Sequence, residues 1–278
     1  MMKVAESTTQ MKKYRDLVSS RLRNYTCADD TMESSEPIDL IKVDLGDQKY
    51  DMDVYFNTPG AKIWVVHDFI TDEECDILER TGRPILRRAT VAAEDGSSIV
   101  SNNRKANQAS YNIHHSSRGW QDPLYPLYDR AMSMVNMYAG YELEMDGQED
   151  FTIIQYDVDD QYTPHCDGQC SGEKHNPGGR VATAVLYCTT AIRGGATSFT
   201  KADVFIKPKK GMATFFTYKG LDGFTDDGYT EHSGCPVLEG EKWVTTVWMR
   251  DGVSKERPWT AFDPNGIPVM DPNTNFRK

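Results

Sequence analysis

Positive charge is the scarcer sign in this chain. It carries 31 Lys and Arg against 42 Asp and Glu, a formal net charge of −11. That balance argues against a protein that grips nucleic-acid phosphates, which needs concentrated Lys and Arg. A basic peptide partner is compatible with it. No apolar run approaches the roughly 20 residues of a membrane helix, so the sequence predicts no membrane span. Cysteine is sparse: six, at positions 27, 75, 166, 170, 188 and 235 of a 278-residue chain. This is too few to predict a disulfide scaffold, and Cys166 and Cys170 have no second pair with which to build a structural zinc site. Cysteine usage leaves the redox compartment open. The opening stretch "MMKVAESTTQMKKYRDLV" has no apolar core, so no secretory signal peptide is predicted, and read as given the chain starts in the cytosol. A sequon at Asn24-Tyr25-Thr26 would matter only in the secretory route. Internal repeats and low-complexity tracts are missing as well.

What is present divides into three parts. Residues 1–60 form a polar leader, with a candidate helix in "TTQMKKYRDLVSSRL" and alternating edge strands in "IDLIKVDLGDQKYDMDVYF". Residues 61–250 carry the folded pattern, and residues 251–278 form a Pro- and Asn-rich tail expected to wrap the surface or hang loose. "AKIWVVHDFI" reads as a buried strand. A short helix follows, with Thr71 and Glu74 as a capping box, Gly82 as C-terminal cap and Pro84 as stop. "EDGSSIVSNNRKANQAS" reads as loop. A second helix is expected after Asp122 as N-cap and Pro123 at N1, with Leu124, Leu127, Ala131, Val135 and Tyr138 on one face. Strands then dominate: "FTIIQYDV", "RVATAVLYCTT", "TSFTKADVFIKP", "GMATFFTY" and "KWVTTVWMR". Two helices ahead of antiparallel strands predict an α+β protein, a β-sandwich or jelly roll with helices packed on one sheet.

Histidine is also scarce, and one of the six stands in "QYTPHCDGQC". Residues two apart on an extended segment point the same way, so His165 and Asp167 can face one cavity. They are two of the three ligands of the 2-His-1-carboxylate triad of non-haem iron(II) oxygenases. His67 belongs to the first buried strand, and His114, His115 and His175 to loops. His232, just before a strand pair and distant in sequence, is the candidate third ligand. H-x-D also occurs by chance, a lone histidine is often structural, and Asp167-Gly168 could equally be a turn. Lys242 shifts the balance. It sits among Trp243, Val244, Val247 and Trp248, where burial without an anion is costly, although an edge lysine could instead point to solvent. A dicarboxylic acid would supply the anion. Two of the open iron positions could take the 2-oxo acid end of 2-oxoglutarate and a third O2, with Lys242 on the distal carboxylate.

"YDVDDQYTPHCD", "GGRVATAVLYCTTAIRGGATSF" and "HSGCPVLEGEKWVTTVW" together resemble the catalytic domain of collagen-type prolyl 4-hydroxylases. "IWVVHDFITDEECDILERTGRPILRRATV" is similar to the first strand and helix of that domain, so the likeness spans roughly residues 60 to 250. The resemblance implies a double-stranded β-helix core and an iron(II)/2-oxoglutarate dioxygenase. It implies iron on His165, Asp167 and His232, and the 2-oxoglutarate carboxylate on Lys242 with Thr197. Tyr156 would hydrogen-bond near the cosubstrate or serve as a core tyrosine, and Trp248 would wall the pocket. Arg180 would face the peptide, and Arg104 would open a substrate loop. Cys166, between the two ligands, is expected to point away from the metal and to be incidental. Implied too are hydroxylation of peptidyl proline at C4, succinate and CO2 as coproducts, and L-ascorbate to rescue oxidised iron. The substrate would be a proline-containing peptide or protein, collagen-like in the family's pattern, and the compartment the endoplasmic reticulum lumen, with the cytoplasm as the alternative.

Most of the departures fall on the substrate side: Ala106, Ala196 and Arg250 replace the Ser, Glu and His the pattern expects, and its Trp is at best Tyr111, one position late. Cys235 matches half of a family disulfide whose other half is Trp259 here. Two alternatives stand beside prolyl hydroxylation: the same chemistry on another residue or a small molecule, and a non-catalytic binding relative.

Overall fold

A computed structural model describes residue 27 and residues 31–92, 98–101, 103–113 and 119–269. The candidate helix of the leader lies outside the described residues. Eighteen strands are described. The first eight are β1 (Asp39–Asp44), β2 (Lys49–Asn57), β3 (Lys62–Val66), β4 (Arg87–Arg88), β5 (Thr90–Ala92), β6 (Ser98–Val100), β7 (Arg104–Lys105) and β8 (Asn107–Tyr111). Then come β9 (Phe151–Tyr156), β10 (Gln161–His165), β11 (Arg180–Thr189), β12 (Arg193–Gly194) and β13 (Thr197–Phe199). The last are β14 (Val204–Ile206), β15 (Ala213–Thr217), β16 (His232–Gly234), β17 (Val237–Glu239) and β18 (Lys242–Arg250). Two helices, α1 (Asp72–Gly82) and α2 (Tyr125–Ala139), precede most of them.

The major sheet runs β1-β2-β3-β15-β11-β18-β9-β8-β4 and the minor one β14-β13-β16-β10-β7. All of their pairings are antiparallel. Alternation assigns the two faces of the major sheet. Trp64, Val66, Ile153, Ala184, Phe215, Trp243 and Val247 join one core with Leu78 of α1 and Leu127, Ala131 and Val135 of α2. Ile63, Val65, Ile154, Tyr187, Phe216 and Val244 join a second core with Phe199, Val204 and Ile206 of the minor sheet. The architecture is the expected α+β double-stranded β-helix with its helices on one sheet, and the site lies between the sheets.

Local expectations met mixed outcomes. Thr71 caps α1 through the Glu74 amide at 3.2 Å, and Glu74 returns the bond to the Thr71 amide at 3.0 Å. Gly82 is no left-handed cap: its φ is −70° and the chain tightens into a 3-10 turn through Pro84. Its small size serves packing, since a Cβ there would sit 3.0 Å from Ile153. Asp122 accepts from the Leu124 amide at 2.9 Å, but that bond closes a turn and α2 begins only at Tyr125 with Leu124 as its N-cap. Leu124, Leu127, Ala131 and Val135 are buried as expected, with Tyr138 at the margin. "NQASY", read as loop, is β8, paired along its length with β9; ladder hydrogen bonds make the strand although its side chains are mostly polar. "TSFTKADVFIKP" is not one strand but the β13–β14 hairpin, its turn using Asp203 at φ 57°. β1 is an edge strand of the major sheet as predicted, but β2 lies inside it, paired with β1 on one side and β3 on the other.

The cysteines depart furthest from expectation. All six pair: Cys27–Cys235, Cys75–Cys188 and Cys166–Cys170. Two of the pairs join positions 208 and 113 residues apart, a proximity no local spacing could signal. Cys75–Cys188 ties α1 to β11 in the core. Because that bridge closes a loop of 113 residues, the double substitution Cys75→Ala/Cys188→Ala should cost about 3–5 kcal/mol of folding stability. Urea unfolding measures it, and a loss below ~1 kcal/mol would count against a structural role.

Candidate metal and cosubstrate site

The last residue of β10 stands opposite the first of β16: His165 pairs with His232, their ring centroids 4.3 Å apart. Each imidazole is oriented by its own backbone. His165 Nδ1 lies 2.8 Å from the Thr163 carbonyl and His232 Nδ1 3.0 Å from the Thr230 carbonyl. A carbonyl only accepts, so Nδ1–H donates and both Nε2 atoms are left as ligands. Asp167 lies in the turn after β10. Its Oδ1 is 3.4 Å from His165 Nε2 and its Oδ2 3.9 Å from His232 Nε2. Thr183 Oγ1 on β11 donates to Asp167 Oδ2 at 2.8 Å. One atom from each of the three residues falls within 4.8 Å of the others. Two imidazoles and a carboxylate in this arrangement fit iron(II) with positions left open.

Protonation agrees with metal binding. Burial, with the nearby His165 charge, pushes His232 down to about 4. Burial works to raise the Asp167 carboxyl, but the His232 and His165 charges and the His165 hydrogen bond outweigh it and hold the group well below the carboxylate range. At neutral pH both groups are in the form that ligation requires.

The deeper cavity belongs to alternate residues of the central strands. Lys242, Val244, Thr246 and Trp248 of β18 line it, with Tyr156 of β9 and Thr197 of β13. Lys242 is 4% exposed, and among the described residues it pairs with no carboxylate. Its Nζ donates to the Gly195 carbonyl at 2.7 Å and lies 5.5 and 5.6 Å from the Tyr156 and Tyr187 rings. Burial lowers its pKa to about 8. Gly195 holds φ 69°, and a Cβ there would meet Ala191 at 3.1 Å and the lysine stem at 3.4 Å. The Tyr187 hydroxyl bridges Thr197 and Thr214 at 3.0 Å each. Sequence reasoning missed Thr183 and Tyr187. Their signal was the two-residue period of "VATAVLY", which puts both on the cavity face of β11.

Outside this lies a cleft of about 570 Å³. Arg180 lines it, but its guanidinium is occupied: Nε and Nη2 bind Glu149 at 2.6 and 2.7 Å, and Nη1 binds the Asp167 carbonyl at 3.1 Å. It also stacks on Trp248 at 3.8 Å. Arg250 shares Glu149 at 2.6 Å. Arg104, only 4% exposed, donates to the Thr90 carbonyl at 3.0 Å and lies over the Tyr162 ring at 5.1 Å. Cys166, expected to be incidental, is bonded to Cys170 and closes the turn that presents Asp167. His67 pairs with Asp53 at 2.8 Å away from the site, His175 is buried in its loop, and His114 and His115 lie outside the described residues.

A buried lysine titrating near 8 has a direct consequence for anion binding. Its charged form, needed by a dicarboxylate, predominates below that pH and is lost above it. Affinity for 2-oxoglutarate should therefore be level below pH ~7.5 and fall by up to about tenfold per unit well above the lysine's pKa. Equilibrium binding across pH 6.5–9.5 tests this, and an affinity unchanged to pH 9.5 would contradict it.

Residues 151–250 match the family model of the 2OG-Fe(II) oxygenase superfamily. Prolyl 4-hydroxylase 1 of Arabidopsis thaliana is 31% identical over 206 residues, covering 69% of this chain and 69% of that protein. Prolyl 4-hydroxylase subunit alpha-1 of Rattus norvegicus is 31% identical over 205 residues, covering 71% of this chain but 36% of that subunit. The chain thus spans about a third of the length of the vertebrate subunits it matches. The fold matches a solved truncated form of the viral collagen prolyl hydroxylase of Paramecium Bursaria Chlorella virus-1 with a TM-score of 0.50 at 23% identity, over 68% of this chain and 90% of that one. With a plant relative matched over two thirds of its length, this chain belongs to the prolyl 4-hydroxylase family of 2-oxoglutarate- and iron(II)-dependent oxygenases.

Proposed function

We propose that this chain hydroxylates C4 of a peptidyl proline, using O2 and 2-oxoglutarate and releasing succinate and CO2. The observation that carries the proposal is the His165–Asp167–His232 group standing beside a buried Lys242 that, among the described residues, lacks a carboxylate partner. Iron(II) held by His165, Asp167 and His232 and kept reduced by ascorbate would supply the oxygen-activating chemistry, with one oxygen atom of O2 ending in succinate and the other in the proline hydroxyl.

Each residue has a defined task. His165 and His232 present Nε2, and Thr183 steadies Asp167. Lys242 holds the distal carboxylate of 2-oxoglutarate, with Thr197, Tyr187 and Tyr156 around it. Trp248 closes the inner cavity against water, which strengthens the electrostatics inside it. The outer cleft receives the peptide, between Arg104 and the Arg180–Glu149 pair. Arg180 acts there by shaping the wall, held by Glu149 at Nε and Nη2 and by the Asp167 carbonyl at Nη1. A single-chain, proline-rich, collagen-like segment is the proposed substrate class. Three disulfides among the described residues support an oxidising compartment such as the endoplasmic reticulum lumen.

Succinate formation from 2-oxoglutarate with iron(II) and ascorbate tests the proposal. A (Pro-Pro-Gly)-type peptide should stimulate turnover and emerge hydroxylated. Turnover indifferent to every prolyl peptide would instead favour another residue or a small molecule as substrate. His165→Ala and His232→Ala should lose iron binding and turnover together. Lys242→Ala should raise the 2-oxoglutarate requirement by about 10–100-fold, the worth of one charge-assisted contact. An unchanged requirement would remove Lys242 from its role.

A further inference from the structure

We propose that the C-terminal segment 258–269 is a fixed wall of the substrate cleft and that Trp259 is its specificity-determining platform, favouring peptides with an apolar or prolyl residue beside the target proline. This rests on the peptide reading of the cleft.

The segment is docked through backbone groups and through the site's own arginines. The Trp259 amide donates to the Gly147 carbonyl at 2.8 Å, and the Arg180 amide donates to the Pro264 carbonyl at 2.9 Å. Arg250 Nη1 reaches the Asp263 carbonyl at 2.6 Å, and Asn176 Nδ2 the Asn265 carbonyl at 3.1 Å. Two glycines leave room for it. A Cβ on Gly178 would lie 2.5 Å from the Phe262 ring, and one on Gly266 would lie 2.5 Å from the Asn176 carbonyl oxygen. The Val269 amide folds the segment back onto the Ala261 carbonyl at 3.0 Å. The tail is therefore built onto the rim of the cleft rather than draped across it.

Much of what this wall offers is apolar. One oxygen of the Asp263 carboxylate, Oδ1, is engaged locally, accepting from the Asn265 and Ile267 amides at 2.9 and 2.8 Å. Trp259, Pro264 and Val269 face the cleft beside it. Four aromatic side chains line this space, and three already carry a partner. Tyr162 stacks on His165 at 3.4 Å, Arg180 covers Trp248 at 3.8 Å, and Arg257 covers Phe262 at 4.2 Å. Trp259 is half-buried, and among the described residues no ring or cation stacks on it. An indole in the cleft wall, with no ring or cation stacked on it among the described residues, suits a prolyl ring or aliphatic side chain.

The test uses the full chain with iron(II) and 2-oxoglutarate, held anaerobic for equilibrium binding and aerated for kinetics. Two prolyl peptides are compared, one with proline or valine and one with serine or asparagine next to the target residue. Wild type should prefer the first. Trp259→Ala should weaken that peptide about fivefold in both Kd and KM, erase the preference, and leave the KM for 2-oxoglutarate within about twofold. Trp259→Phe should restore most of the preference, which a misfolded variant could not do. Equal weakening of both peptides, or none, would overturn the platform while leaving prolyl hydroxylation standing. A wild-type protein that neither binds nor hydroxylates any prolyl peptide would overturn the substrate reading and this proposal with it.

Discussion

The register of β18 is the constraint on which the rest depends. It lies between β11 and β9 near the middle of the major sheet and is buried on both faces. Trp243, Val247 and Met249 face the helices, while Lys242, Val244, Thr246 and Trp248 face the cavity. A slip of one residue would exchange these sets, driving a lysine into the helix-side core and a tryptophan into the cosubstrate space. The large apolar set makes that slip prohibitive. Lys242 is thus held in an environment it would not choose, and the packing energy of its neighbours absorbs the cost of burying it.

Charge inside the sandwich follows two regimes. On the outer side, Glu149 is bound by both Arg180 and Arg250, and their charges hold its carboxyl below the usual range although burial opposes them. That cluster is satisfied internally, so it builds a wall. On the inner side, among the described residues, Lys242 meets a carbonyl and two ring faces but no carboxylate, and the three metal-site residues lean toward one another across a gap. The contrast between satisfied and unsatisfied buried charge separates structural residues from binding residues here, where residue type alone does not.

The cysteines and the tail show one exchange of roles. Trp259 stands where the family pattern places a cysteine partner for Cys235, and Cys235 bonds Cys27 instead. The C-terminal segment, freed from that tether, packs over Gly178 and sets its own Gly266 against Asn176 at the cleft. Cys27 meanwhile anchors the N-terminal side beside the β13–β14 hairpin, where Ser35 and Phe205 bond backbone to backbone at 2.8 Å.

Local chemistry made much of this protein legible. The Thr71–Glu74 box, the β-branched strands and the H-x-D spacing each depend on residues a few positions apart, and those carried the α+β class and two of the three metal-site residues. His232 and Lys242 were legible through a costly lysine in an apolar strand and through family resemblance. Partners decided by distant chain segments were not: β8 is a strand only because β9 lies beside it, and Cys27 has meaning only next to Cys235. Likewise nothing local signals that Arg180, which lines the outer cleft, is held there by Glu149. Which residues could do the chemistry is readable along the chain, because periodicity and side-chain type are local. Which of them remain free to do it depends on the fold, because buried charge is settled by whichever neighbours the fold delivers.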